Sequence, residues 1–229
     1  GESPERVFNT GAIGLDNLTK LELIDRTDLE KVLDFKLDHA PVILCTYHPE
    51  TLMNDDSGTA LQGLFKAFDN LKNAKIVFTK GNADTDGRKN NQRIDNYASS
   101  NPGRVASFAN LGQVNYLSLL READLVIGNS SSGIIEAPAV GTPTVNIGNR
   151  QQGRLKSPSI IDCDASSESI ASALEKALSP EFRETAARRN SLFGQGGASE
   201  QIKHILKTTA LEGILIKRFH NLETAEGDT

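Results

Sequence analysis

Residues 123–154, ADLVIGNSSSGIIEAPAVGTPTVNIGNRQQGR, constrain the fold of this chain more than any other stretch. Leu125, Val126 and Ile127 form a short apolar run that ends in Gly128-Asn129. The chain then passes three serines and Gly133 and enters a segment whose apolar residues Ile134, Ala137 and Val140 have helical spacing. The pattern predicts strand, tight loop and helix. Gly141-Thr142-Pro143 stops the helix, and Thr144 to Ile147 resumes an apolar strand.

The loop between the first strand and the helix carries the chemistry. The first backbone N–H groups of a helix have no intrahelical partner and sit at its positive end, so Ser130 to Gly133 are a candidate anion seat. The competing reading is that a serine here only caps the helix. Glu136 follows a glycine by three residues rather than a serine or threonine that would close a capping box, so its carboxylate is available for another task. After the second strand comes Gly148-Asn149-Arg150-Gln151-Gln152-Gly153-Arg154, a glycine-bounded loop with two guanidinium groups. An anion seat, a carboxylate able to accept two vicinal hydroxyls, and arginine at the next strand end suit a nucleoside diphosphate. The usual nucleotide fingerprints are absent: there is no G-x-G-x-x-G and no G-x-x-x-x-G-K-[ST], and Ser132 stands where G-x-S-x-G needs its second glycine.

The run GNSSSGIIEAP followed by GTPTVNIGNRQQGR resembles the uridine-diphosphate site of the UDP-N-acetylglucosamine 2-epimerase family. The resemblance implies one half of a glycosyltransferase B type two-domain fold, with no cofactor and no metal. It implies that Ser130, Ser131 and Arg150 bind the diphosphate and Glu136 the ribose hydroxyls. A histidine after an earlier strand contacts the diphosphate in this family, which assigns His48 as a catalytic residue. Asn82 is assigned to the nucleotide and Leu111 to the loop that seats uracil.

The rest of the chain supports an α/β reading. Residues 1–20 have turn residues at Pro4, Asn9-Thr10-Gly11 and Gly14 and too little apolar periodicity for a core element. They read as a connection, and the family joins its two domains by a similar R-V-F-x-x-G segment. The expected division is therefore 1–26 as a connection from a missing N-terminal domain, 27–222 as the UDP-binding domain, and 223–229 as a flexible tail. Thr27 and Glu30 have capping-box spacing for a helix to about Leu37. Strands are expected at Pro41–Thr46, Ala74–Thr79, Val105–Phe108 and Ile160–Cys163, besides the two around the serine loop. Helices are expected at Thr59–Leu71, Asn91–Ser99, Tyr116–Ala123, Ser167–Leu178, Glu181–Asn190 and, capped by Ser199, Glu200 to about Ile216. Alternating strands and helices from Pro41 onward predict a Rossmann-like parallel sheet with helices on both faces. Tyr47-His48-Pro49-Glu50 then falls at a carboxyl strand end, where ligands gather in open α/β sheets.

Composition narrows the function classes. The 229-residue chain has a net charge of −5 and no dense Lys/Arg stripe, which argues against nucleic acid. No apolar run approaches a membrane span, and cytoplasm is the expected compartment. Cys45 and Cys163 read as buried thiols rather than a disulfide or zinc framework. The expected partners are UDP-N-acetylglucosamine or UDP, the N-terminal domain, and further copies of the enzyme in a homo-oligomer. By the resemblance, the chemistry removes the C2 proton, expels UDP to leave a glycal, and adds water in the hydrolysing branch, giving N-acetylmannosamine. TYHPET and NIGNRQQGR are closer to that branch than to the non-hydrolysing one. A glycosyltransferase of the same architecture and a non-catalytic UDP-sugar sensor remain the other readings.

Overall fold

The computed structural model describes residues 1–38, 41–49, 57–81, 85–216 and 219–221. Six parallel strands, β1 (Val42–Thr46), β2 (Lys75–Thr79), β3 (Val105–Phe108), β4 (Leu125–Gly128), β5 (Thr144–Ile147) and β6 (Ile160–Cys163), lie in the order β3-β2-β1-β4-β5-β6. This is the doubly wound order. The chain builds outward from β1 through β2 to β3, then returns to the middle and builds β4 to β6 on the other side.

The central strands β1 and β4 are apolar at nearly every position because both faces of the sheet are covered there. Side chains alternate across a strand, so Ile43 and Cys45 enter one core with Ile76, Phe78, Leu125 and Ile127, while Val42, Leu44, Val77 and Val126 enter the other. The first core is closed by α3 (Ser57–Asp69), α4 (Thr85–Ser99) and α7 (Ser167–Leu178), which contribute Phe68, Ile94 and Leu174. The second is closed by α2 (Arg26–Leu33), α5 (Gly112–Glu122) and α6 (Ser132–Val140), through Leu29, Leu119 and Ala137. The sequence expectation of a parallel sheet with helices on both faces is met.

Several local readings are corrected. The helix predicted to open on a Thr27–Glu30 capping box is α2, and its N-cap is Asp25, whose side chain accepts from the Asp28 N–H at 2.9 Å. Glu30 serves the other end, where it accepts from the Leu37 N–H at 2.8 Å after Asp34 has ended the helix in the left-handed conformation. Polar residues hide the start of α4, which begins six positions before the expected Asn91. The last helix, α9 (Ala198–Thr208), follows α8 (Pro180–Ala187) and stops well short of Ile216. Leu211, Leu215 and Ile216 beyond it are exposed, so their apolar character does not report helical packing.

Residues 1–20 are not devoid of core elements. A 3-10 turn, Ile13–Leu15, leads into α1 (Asp16–Lys20), and Leu15 is completely buried. Asp16 is buried too, and its carboxylate caps α9: Oδ1 accepts from the Ala198 N–H and Oδ2 from the Ser199 N–H, both at 2.9 Å. Ser199 is therefore not the cap of α9 but a partner of the cap, and its hydroxyl also donates to Asp16. The N-cap position itself is Gly197, at φ 83°.

The Ser199 hydroxyl and the two backbone N–H groups hold the Asp16 carboxyl well below the usual carboxylate range. A depressed folded pKa means that the stabilisation is present above the unfolded value of about 4 and is lost as pH falls below it. Asp16→Ala is expected to lower the melting temperature at pH 7 and to flatten its dependence on pH below 4. Thermal melts of both proteins from pH 7 to pH 3 check this, and parallel curves would remove Asp16 from the account.

Candidate diphosphate site

The switch point of the sheet lies between β1 and β4, and the loops leaving these strands form a crevice at their carboxyl ends. Gly128 makes that crevice narrow. It lies at φ 134°, and a Cβ there would overlap the Thr46 carbonyl oxygen, far inside van der Waals contact. The two strand ends thus approach more closely than any other residue would allow.

Directly beyond Gly128, the fully buried Asn129 ties three loops together. Its side-chain Oδ1 accepts from the His48 N–H at 2.7 Å, and its Nδ2 donates to the His48 carbonyl at 2.8 Å. Its own N–H donates to Thr46 O at 3.1 Å. Its carbonyl accepts from Arg150 Nη1 at 2.9 Å and from Gln151 Nε2 at 2.7 Å. His48, the serine loop and the Arg150 loop, far apart in sequence, meet through this one residue. The His48 ring lies against Gly81 at the end of β2, where a Cβ would stand 3.0 Å from Nδ1.

The serine seat is smaller than the sequence suggests. Ser130 and Ser131 turn before α6 begins, so the Gly133 N–H is taken by Ser130 O at 3.2 Å and the Ser132 N–H is directed at the Ser130 hydroxyl at 3.4 Å. Among the described residues, no acceptor meets the N–H groups of Ser130 and Ser131, and no side chain caps the helix. The N-cap reading of the serines therefore does not account for Ser131. These two residues are the part of the seat that can meet an anion.

Glu136 lies one turn further along α6. Its Oε2 is buried and has no hydrogen-bond partner, and Oε1 faces Gly14. Burial pushes the carboxyl above its ordinary pKa; the Ser132 hydroxyl, near but short of hydrogen-bond geometry, offsets this only in part. Tyr116 stands beside this pair, and burial raises its phenol as well. A carboxylate with one desolvated, unpaired oxygen is a strong acceptor for hydroxyl or N–H groups.

Five of the sequence-predicted residues, His48, Ser130, Ser131, Glu136 and Arg150, therefore come from loops and a helix start around one crevice. Leu111 is different: it precedes α5, its side chain belongs to the second core, and its carbonyl already accepts from Asn115 Nδ2 at 2.9 Å. Asn82 lies outside the described residues, as do Glu50 and Asp84. Sequence reasoning gave no role to Asn129 or Gln151, yet both are buried polar residues within the constraining stretch. Among the described residues, no group of three His, Cys, Asp or Glu side chains could hold a metal ion. Cys45 is fully buried, Cys163 partly so, and burial raises both thiols.

A family model described as UDP-N-acetylglucosamine 2-epimerase matches residues 1–207. The chain belongs to this family. It is 40% identical over 223 residues to the GDP/UDP-N,N'-diacetylbacillosamine 2-epimerase (hydrolyzing) of Campylobacter jejuni, covering 97% of this chain and 57% of the relative. It is 29% identical over 218 residues to the UDP-N,N'-diacetylbacillosamine 2-epimerase (hydrolyzing) of Legionella pneumophila, covering 95% and 56%. The fold is shared with the Methanocaldococcus jannaschii UDP-GlcNAc 2-epimerase solved in complex with UDP-GlcNAc and UDP, at a TM-score of 0.64 and 17% identity over 90% of this chain and 56% of that one. This epimerase-family chain thus spans a little over half the length of the curated relatives it matches.

Proposed function

We propose that the chain carries the nucleotide-diphosphate half of a hydrolysing nucleotide-sugar 2-epimerase. The observation that carries this reading is the half-buried Glu136 carboxylate, whose buried Oε2 has no partner among the described residues, set beyond the open N–H groups of Ser130 and Ser131. A phosphate needs the second feature and a ribose the first, and both lie at the N-terminal end of α6 and the loop before it. His48 and Arg150, held beside them by Asn129, supply positive charge or hydrogen bonds to the same diphosphate.

In the reaction that the family resemblance implies, a base removes the C2 proton of the sugar. The C1–O bond then breaks, leaving a glycal and UDP, and water adds to the glycal. Negative charge on the departing diphosphate grows as that bond breaks. Donors already fixed by the fold stabilise this charge without reorganising, which is the part of catalysis this chain performs. The substrate class is a UDP-linked 2-acetamido sugar. N-acetylglucosamine follows from the sequence resemblance, and the substrate named for the Campylobacter and Legionella relatives adds N,N'-diacetylbacillosamine as the second sugar to assay.

Titration calorimetry tests the reading. UDP is expected to bind more tightly than UMP or ADP, and equal affinity for UDP and UMP would remove the diphosphate assignment. Glu136→Gln is expected to weaken UDP binding by about 1 to 3 kcal/mol, the range for hydrogen bonds to a charged group. The same substitution should leave the melting temperature unchanged or raise it. The raised carboxyl pKa means that ionisation above about pH 4 opposes the ligand-free fold, and glutamine removes that charge. A large fall in stability with unchanged affinity would make Glu136 a structural residue.

A further inference from the structure

Resting on the diphosphate reading of this site, we propose that Asn129 is a positioning residue that sets the place of His48, acting through the His48 backbone. The side-chain amide spends both its polar atoms on a single residue: Oδ1 on the His48 N–H at 2.7 Å and Nδ2 on the His48 carbonyl at 2.8 Å. The last paired position of the two strands is Thr46 with Gly128, so this clamp lies beyond the ladder and is not needed to fix strand register. It instead fixes one residue of the loop that follows β1.

The chemistry of the clamp is specific to asparagine. An ionised aspartate could accept from the N–H but has nothing to donate to the carbonyl, and alanine removes both bonds. Burial makes the two bonds matter, because an amide removed from water is costly unless it is satisfied. The imidazole itself lies against Gly81. The Asn129 main chain does separate work, since its carbonyl, untouched by a side-chain substitution, receives Arg150 and Gln151. Side-chain variants therefore address His48 without removing the acceptor for Arg150.

A double-mutant cycle read by UDP calorimetry decides between positioning and general support. Asn129→Ala is expected to weaken UDP binding about tenfold, the scale of one charge-assisted hydrogen bond, and by less than twofold when His48 is already alanine. Asn129→Asp loses the donor and brings a carboxylate beside the diphosphate, so it should weaken UDP binding at least as much as Asn129→Ala. If Asn129→Ala weakens binding by the same factor with and without His48, the inference is overturned.

Should Asn129→Ala not fold, Gly81→Ala presses directly on the imidazole with the clamp intact. It is expected to cause a similar loss that also vanishes in the His48→Ala background, and unchanged affinity would count against the proposal. The ligand-free protein supplies an arm independent of nucleotide. The His48 Cε1 proton resonance, assigned by its disappearance in His48→Ala, should shift in Asn129→Ala and in Gly81→Ala. Absence of UDP binding by the unaltered chain would sink the diphosphate reading alone, whereas an unmoved His48 resonance would sink the positioning role alone.

Discussion

Replacing Gly128 by alanine is expected to destabilise the fold by about 4 to 5 kcal/mol, in the exceptional range for a single substitution. Two costs add. The backbone at φ 134° is one that side chains rarely adopt, and the new Cβ would overlap the Thr46 carbonyl, which is backbone and cannot rotate away. Relief requires β1 and β4 to separate at the very place where the sheet changes direction. For a domain of this size, the corresponding fall in melting temperature is about 10 to 20 °C. Gly103→Ala is the matched control, since Gly103 also has a positive φ, 72°, but a Cβ there meets nothing within 4 Å. It should cost about 1 kcal/mol, the backbone term alone. Equal losses at the two positions would show that strand proximity contributes nothing.

The 229-residue chain by itself is expected to bind UDP and yet release no UDP from UDP-N-acetylglucosamine or its diacetylbacillosamine counterpart. Binding needs the crevice, and the sheet that builds it is continuous from β3 to β6. Turnover also needs a base within hydrogen-bond reach of the sugar C2 proton. The family resemblance assigns that base to the other domain, and this chain spans only 57% of its Campylobacter relative. Supplying the nucleotide sugar and following UDP and free sugar over time is a direct assay. Robust turnover would place acid and base within these residues, with His48 the first to be replaced, and would end the division of labour proposed above.

The architecture was legible because burial on both faces leaves a plain trace: VILCT, KIVFT and LVIG are continuous apolar runs, separated by segments of helical length. The loop between β4 and α6 was legible as a candidate anion seat because serine and glycine at a strand-to-helix transition leave N–H groups open there, with helix capping as the competing use. What the loop does with its N–H groups was not. Whether Ser132 and Gly133 donate to a ligand or to Ser130 depends on two backbone dihedrals that residue types do not dictate. Long-range caps escape for a different reason. Nothing near Asp16 in sequence indicates that its carboxylate will meet helix α9, 182 residues away. Asn129 lay within the quoted motif, but its task became visible only once β1 and β4 were adjacent, because its partner His48 is 81 residues upstream.

The sheet consists of two three-stranded halves that share one strand pairing, β1 with β4, and the crevice straddles that seam. A diphosphate gripped by His48 on one half and by Ser130 and Ser131 on the other links occupancy to the integrity of the pairing beneath it. By mass action, nucleotide at 100 times its dissociation constant adds about 2.7 kcal/mol to any opening that breaks the grip. Openings confined to the outer strands β3 and β6 leave the grip intact and gain nothing. Amide exchange would therefore slow along the central pair on adding UDP while the sheet edges kept their rates, so that the ligand acts as a fastener for the middle of the fold.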